Sequence, residues 1–432
     1  MTVKLTILMC LFFIIVSCMP VYAAIYYVAI EGKDSNLGTK IRPWQTIQKA
    51  ADTLVAGDTV YIKGGTYLPN TSITAKNSGE SGKDITYSAY LEDTVIIDGQ
   101  NVSLPNWYGL FKVVNKEYVR IMGLKIINSK FAGIFVGNSK NIIIKGNYTS
   151  DTSSSGIGVW NSKNIIVDGN KIQRACWPTD GKQECLSVNG SHNVEIRNNH
   201  VYNGGDIGGE GIDVKNGSSN VKVYSNHVHN VYSAGIYIDA FKFHTHDIDV
   251  FRNVVHNCTG KGIVAASEQG GLLENVNIFN NVVYNNKSNG IIIGWALKPN
   301  NPLERISVFN NTCYRNGGYG IYIGATAAKD IVIRNNICSQ NMKAQIRTYR
   351  SVPLYQVIIE NNLINGPGSF MGDKSVSGDP KFIAPDNGDF HLQHNSPAID
   401  NGTAISAPSD DFDGNVRPYA GAYDIGAYEL GI

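Results

Sequence analysis

Asn141-Ile142-Ile143-Ile144-Lys145-Gly146-Asn147 is one copy of a hexad-to-asparagine pattern that recurs along most of this 432-residue chain. It returns over 164–170, 193–199, 220–226, 247–253, 275–281, 305–311, 330–336 and 356–362. Tyr118-Val119-Arg120-Ile121 reads as an earlier copy without the asparagine. Successive closing asparagines lie 23, 29, 27, 27, 28, 30, 25 and 26 residues apart. Within a copy the apolar residues alternate, as in Val194/Ile196, Val221/Val223 and Ile248/Val250. A period of two is a strand signal. A second strand follows, opened by a Gly-Ile pair at Gly133-Ile134, Gly156-Ile157, Gly211-Ile212, Gly235-Ile236, Gly262-Ile263, Gly290-Ile291 and Gly320-Ile321. Cys185-Leu186 holds the same place in one copy.

Each repeat therefore carries two or three short strands and no helical period. Leucine-rich, ankyrin and tetratricopeptide repeats need helices, and a propeller needs about four strands in ~40–45 residues. What remains is an all-β solenoid, a single-stranded right-handed parallel β-helix. Turns stacked ~4.8 Å apart pair in parallel and bury a continuous aliphatic core. The recurring asparagine is expected at a turn, its amide bonding neighbouring backbone and tolerating left-handed torsions. Open ends of such a stack need covers. Residues 44–54 read as a short amphipathic helix after Pro43, capping the first end, and 57–67 as a turn and the first strand. The expected division is an export signal over 1–24, the β-helix over 25–364 with its cap at about 40–56, and an irregular flap over 365–432.

Composition agrees and narrows the partners. Forty-five glycines indicate many turns, and a net charge of +1 with 17% charged residues leaves no basic groove for nucleic acid. The chain is expected to act as a monomer. Lys4, the apolar run from Leu5 to Val16 and Val21-Tyr22-Ala23 form the three regions of a signal peptide. The run is too short for a membrane span, which takes ~20 residues. The expected location is extracellular or periplasmic. Ile15-Val16-Ser17-Cys18 also resembles a lipobox, which would make Cys18 a lipidated terminus. Cys176 and Cys185 bracket a polar loop and can pair in an oxidising compartment. Cys258, Cys313 and Cys338 read as buried thiols.

Registering the repeats on the Gly-Ile pair assigns side chains to faces. The isoleucine points in, the next residue out, then in, then out. Most repeats place small or neutral groups outward. Three consecutive ones do not: Asp213 and Lys215, then Tyr237 and Asp239, then Val264 and Ala266 with Glu268 two residues on. Glu184 and Glu210 precede the pair in adjacent repeats. Five carboxyl groups and a lysine thus fall on one face within about 15 Å. Longer connections at 171–184, 200–210, 239–246, 266–274 and 294–304 would wall a cleft there. Trp160, Trp177, Tyr237, Trp295 and Tyr322 are candidates to stack on sugar rings, with Lys242 as a polar contact. Glycosidic hydrolysis needs one protonated and one ionised carboxyl group. Asp239 as base or nucleophile and Glu268 as acid would supply them, with Asp213 and Glu210 positioning water or a cation. His244 and His246 form at most half of a zinc site.

Two ends of the chain carry a family resemblance. Tyr26-Tyr27-Val28, the segment Gly32 to Gly38, Pro43-Trp44, Thr46-Ile47-Gln48 and Gly57-Asp58-Thr59-Val60 look like the start of secreted pectate-lyase-like β-helix proteins, family-nine lyases among them. Ser396 to Asp400, Asp413-Gly414, Arg417-Pro418 and Asp424 to Glu429 resemble a C-terminal module common on such bacterial proteins. The resemblance implies a polysaccharide substrate. It also implies a second mechanism, β-elimination with Ca²⁺ held by acidic residues one turn apart and a lysine base in the following turn. Glu184, Glu210 and Asp213 match those ligand positions. Tyr237 stands where the lysine would be, leaving Lys215, Lys242 or Tyr237 itself to substitute. A non-catalytic carbohydrate-binding or cell-surface protein is the third reading, because this fold hosts several activities.

Overall fold

The computed structural model describes residues 23–103, 108–177, 183–205, 209–294, 300–368, 372–419 and 421–431. The signal-peptide and lipobox assignments and Trp295 fall outside them. Each turn contributes three strands, as in Lys140–Lys145, Tyr148–Thr152 and Ile157–Trp160. Like strands stack in parallel into three sheets of 13, 13 and 11 strands, here sheets 1, 2 and 3 in the order a turn meets them. The architecture is the right-handed parallel β-helix. Among the described residues no helix is long and apolar enough to cross a membrane.

Alternation builds the core. Val194, Val221, Ile248 and Val276 stack in register in sheet 1, and Ile157, Leu186, Ile212, Ile236 and Ile263 do so in sheet 3. All are closed to solvent. Burying each is worth ~1.5–3 kcal/mol, so one aliphatic column runs the length of the stack.

The closing asparagines form a buried amide ladder at the corner from sheet 1 to sheet 2. Asn199 donates its backbone N–H (3.0 Å) and its Nδ2 (3.0 Å) to Asn226 Oδ1, and Nδ2 also reaches Val167 O at 2.9 Å. Asn226 repeats this on Asn253 and Ile196 O. The left-handed torsion sits one residue earlier than the sequence suggested. Gly146, Gly169, Asn198, Ser225 and Arg252 have φ of 64°, 65°, 54°, 53° and 52°. The turn residue takes the strain, which frees the next asparagine to aim its amide along the stack. A second asparagine ladder, Asn141, Asn164, Asn193 and Asn220, runs along the start of four consecutive sheet 1 strands (Asn193 Nδ2 to Asn164 Oδ1, 3.0 Å). A third, at Asn286, Asn316 and Asn341, lines the corner into sheet 3.

The ends are covered. A helix over Ile47–Thr53, with Thr46 Oγ1 accepting from Lys49 N at 3.1 Å, packs Ile47, Ala50 and Ala51 onto the first turns. The first strand is Ile25–Val28, earlier than expected, and it pairs with Thr59–Ile62. At the far end Val376–Ser377 adds to sheet 2 beside Leu363–Asn365. The rest of the flap folds back with an antiparallel pair, Phe382–Ala384 and Asp389–Leu392. Phe382, Phe390, Leu392, Ile425 and Tyr428 pack on Val282, Tyr314, Ile337 and Leu363 of the outer wall of sheet 2.

Candidate active site

The expected register holds on the outer face of sheet 3. Ser187, Asp213, Tyr237 and Val264 lie side by side, as do Asn189, Lys215, Asp239 and Ala266. These outward positions are floored over rather than bare. Asp213 is 1% exposed and Asp239 3%, and Tyr237, Val264, Ala266 and Ile292 form an apolar cluster with Tyr322 packed against it. The connections between turns fold over this face, so outward does not mean solvated.

One half of the site is an anionic pocket closed by a single ammonium. Lys215 Nζ lies 2.9 Å from Asp213 Oδ2 and pairs with Glu184. Glu210 accepts a hydrogen bond from Ser233 Oγ at 2.9 Å. Burial alone would lower the Lys215 pKa, but Asp213 and Glu184 outweigh it and hold the lysine charged. Burial, with Glu184 and Glu210 crowding in, pushes Asp213 up against the pull of Lys215. Burial and Glu184 likewise raise Glu210. Three carboxyl groups share one ammonium, and burial with crowding favours the protonated forms of Asp213 and Glu210.

The other half joins two neighbouring turns. Asp239 Oδ1 accepts from the backbone N–H of Phe241 at 2.8 Å and of Glu268 at 3.0 Å. Tyr237 OH donates to Glu268 Oε1 at 2.6 Å. The Glu268 loop is pinned from below. Phe241 O accepts from Gln269 N (3.1 Å) and Gly271 N (2.9 Å), and a Cβ on Gly271 would meet Phe243 backbone at 2.7 Å. Only glycine lets these two loops approach so closely. Burial raises the Asp239 pKa to about 7, and the nearby Glu268 adds to the rise. Burial, then Asp239 and Glu268, raises Tyr237 far above the ordinary phenol range, so its hydroxyl stays protonated and donates.

Beside Lys215 an open cleft of ≈ 250 Å³ is lined by Trp160, Gln183, Glu184, Asn189, Asn216 and Phe241. Of the aromatic candidates, Trp160 lines this cleft, edge-on to Phe135 at 5.7 Å. Trp177 is exposed and outside its lining, while Tyr322 stacks on Tyr319 at 4.8 Å. Lys242 is exposed, with its ammonium 5.7 Å from the Phe241 ring. Sequence reasoning did not single out Phe241 and Asn216, which sit in irregular loops, nor Ser233. Asn189 was legible as an outward position. Cys176 and Cys185 are both buried and no disulfide joins them among the described residues, and Cys258, Cys313 and Cys338 are buried too. His244 bonds Glu274 (2.7 Å) and His246 bonds Asp247 (2.8 Å), with no third ligand converging among the described residues.

The model of the Pel9A-like right-handed β-helix region matches residues 26–336, which hold every turn of this site. The chain belongs to that family. This Pel9A-like protein is 34% identical over 143 residues to pectate lyase PEL9 of Emericella nidulans, covering 30% of this chain and 35% of that one. It spans about a third of the length of the curated relatives it matches. The solved pectate lyase Pel9A superposes with a TM-score of 0.60 at 16% identity, over 94% of this chain and 96% of that one. XylC in complex with xylose gives 0.62 at 13% identity, over 94% and 98%. At such identities the likeness is one of fold.

Ca²⁺ can be tested against the donor set. A calcium ion takes 6–8 oxygens at ~2.3–2.6 Å. Glu184 and Asp213 do converge, but on the Lys215 ammonium rather than on a gap. An ammonium already occupies the point on which these two carboxyl groups converge, and Asp213 is closed to solvent. As built, this donor set does not fit the ion.

Proposed function

We propose that this Pel9A-like protein hydrolyses glycosidic bonds of a polysaccharide, with Asp239 as general acid and Glu268 as the ionised base or nucleophile. One observation carries the reading. Burial brings Asp239 up to about 7, so it can hold a proton near neutral pH directly beside Glu268, while Lys215 pairs with Glu184 and Asp213 next to it. A proton-holding and a proton-accepting carboxyl group on adjacent turns are what acid/base glycoside cleavage needs. The assignment inverts the sequence-based expectation for these two residues. The physical reason is desolvation: Asp239 is walled in, and Glu268 stands on a more open loop.

Each neighbour then has a task. Tyr237 orients the Glu268 carboxylate and cannot take a proton from substrate. The two N–H groups on Asp239 Oδ1 fix that carboxyl group. Lys215, Glu184 and Asp213 form a rigid, nearly neutral floor. Trp160 and Phe241 offer ring faces on which a sugar can stack. Similarity to PEL9 is what favours the second reading, Ca²⁺-dependent elimination.

A polysaccharide panel separates the two. Hydrolysis gives new reducing ends without the ultraviolet absorbance of an unsaturated uronide, and a chelator leaves the rate unchanged. Asp239→Asn and Glu268→Gln should each lower kcat by about 10²–10⁴. Unsaturated product, or loss of turnover with chelator, would establish the lyase instead. Binding without either product would leave a carbohydrate-binding protein.

A further inference from the structure

On the wall formed by sheet 2, away from the cleft, three consecutive strands bring four histidines together. His200–Tyr202, His227–His229 and Val254–His256 pair in register, with Val201, Val228 and Val255 in the core. Alternation therefore turns His200, His227, His229 and His256 outward on one wall. His200 Nε2 lies 2.8 Å from His229 Nε2, and His227 Nε2 lies 2.8 Å from His256 Nε2. One ligand nitrogen each of His200, His227 and His229 falls within a 4.8 Å span.

We propose that His200, His227 and His229, with His256 beside them, bind one late first-row divalent metal ion of the zinc type. Ligand nitrogens ~2.0–2.1 Å from a shared ion lie roughly 2.9–3.4 Å apart; His200 and His229 are already at 2.8 Å, and a small rotation of the His227 ring within the 4.8 Å span brings in the third. Imidazole without carboxylate suits zinc, copper or nickel rather than calcium or magnesium. No carboxylate among the described residues bonds to any of the four; the ring nitrogens pair with one another, and an ion would replace those neutral hydrogen bonds. His256 also stacks on Tyr284 (4.7 Å), which packs on Phe390 of the flap (5.0 Å). An ion here would brace the turns on which the flap rests.

The test is calorimetric titration of the full chain with ZnCl₂ at pH 7.5, with its melting temperature followed alongside. We expect one equivalent to bind, a rise in melting temperature, and an affinity at least tenfold lower in His227→Gln and in His229→Gln. His244→Gln/His246→Gln should bind as the unsubstituted chain does. Copper added instead should show several nitrogen ligands by electron paramagnetic resonance, which keeps the question open to test if one variant folds poorly. No saturable binding, or equal affinity in the His227 and His229 variants, overturns the site.

Discussion

Replacing Lys215 by methionine probes the charge balance on which the proposed site rests. The lysine is 20% exposed at its side chain, and its partners Glu184 and Asp213 are 7% and 2% exposed. Removing one member of a buried pair typically costs ~3–5 kcal/mol, because the remaining charge is left unpaired. Partial exposure puts the loss for Lys215→Met at roughly 3 kcal/mol. Its pH dependence has a definite sign. Asp213 and Glu210 already have raised pKa values, and losing the ammonium raises Asp213 further. The folded variant then binds protons more tightly than the unfolded chain, so its stability falls as pH rises through the raised values. Urea midpoints followed by circular dichroism should show a large loss at pH 8 and a smaller one at pH 5. Adding Asp213→Asn should recover at least half of the loss at pH 8. An equal loss at both pH values, or no recovery in the double variant, would refute the ammonium's role as counter-ion.

Turnover should fall as pH rises through about 7, the value to which burial brings Asp239, because the acid form is the active one. A pH–kcat profile with no break there would remove Asp239 as the acid. Asp239→Asn keeps an acceptor for the two N–H groups, so below about pH 4, where the carboxyl group is protonated folded and unfolded alike, its stability should match the parent. Above pH 7 it should be the more stable by roughly 2–4 kcal/mol, since it escapes the proton-linked cost of a buried carboxyl group; urea midpoints at pH 3.5 and 8 decide. Asn226→Ala strands the backbone N–H of Asn199 and the carbonyl of Ile196 inside the stack. At ~1–3 kcal/mol for each orphaned group the loss is about 2–6 kcal/mol, against about nothing for exposed Lys222→Ala. Phe390→Ala should cost ~3–5 kcal/mol and loosen the flap first, visible as early hydrogen exchange over 380–430.

Much of the molecule was legible because its information is periodic. Alternation at Val194/Ile196 and its equivalents, with a nearly constant spacing of closing asparagines, leaves a parallel stack as the arrangement that buries every apolar column. Once the stack is granted, Asp213 beside Tyr237 and Lys215 beside Asp239 follow by counting. The histidine wall was open to the same counting, since His200, His227 and Val254 are 27 residues apart in turn. What the sequence could not supply lies in the aperiodic connections. They decide that Asp213 is closed to water, that Lys215 turns back onto Glu184 and Asp213, and that Tyr237 meets Glu268. They also set which carboxyl group holds its proton, because a pKa answers to the solvent a loop excludes and to the rotamer it permits. Neither quantity repeats from turn to turn, so only the folded chain fixes them.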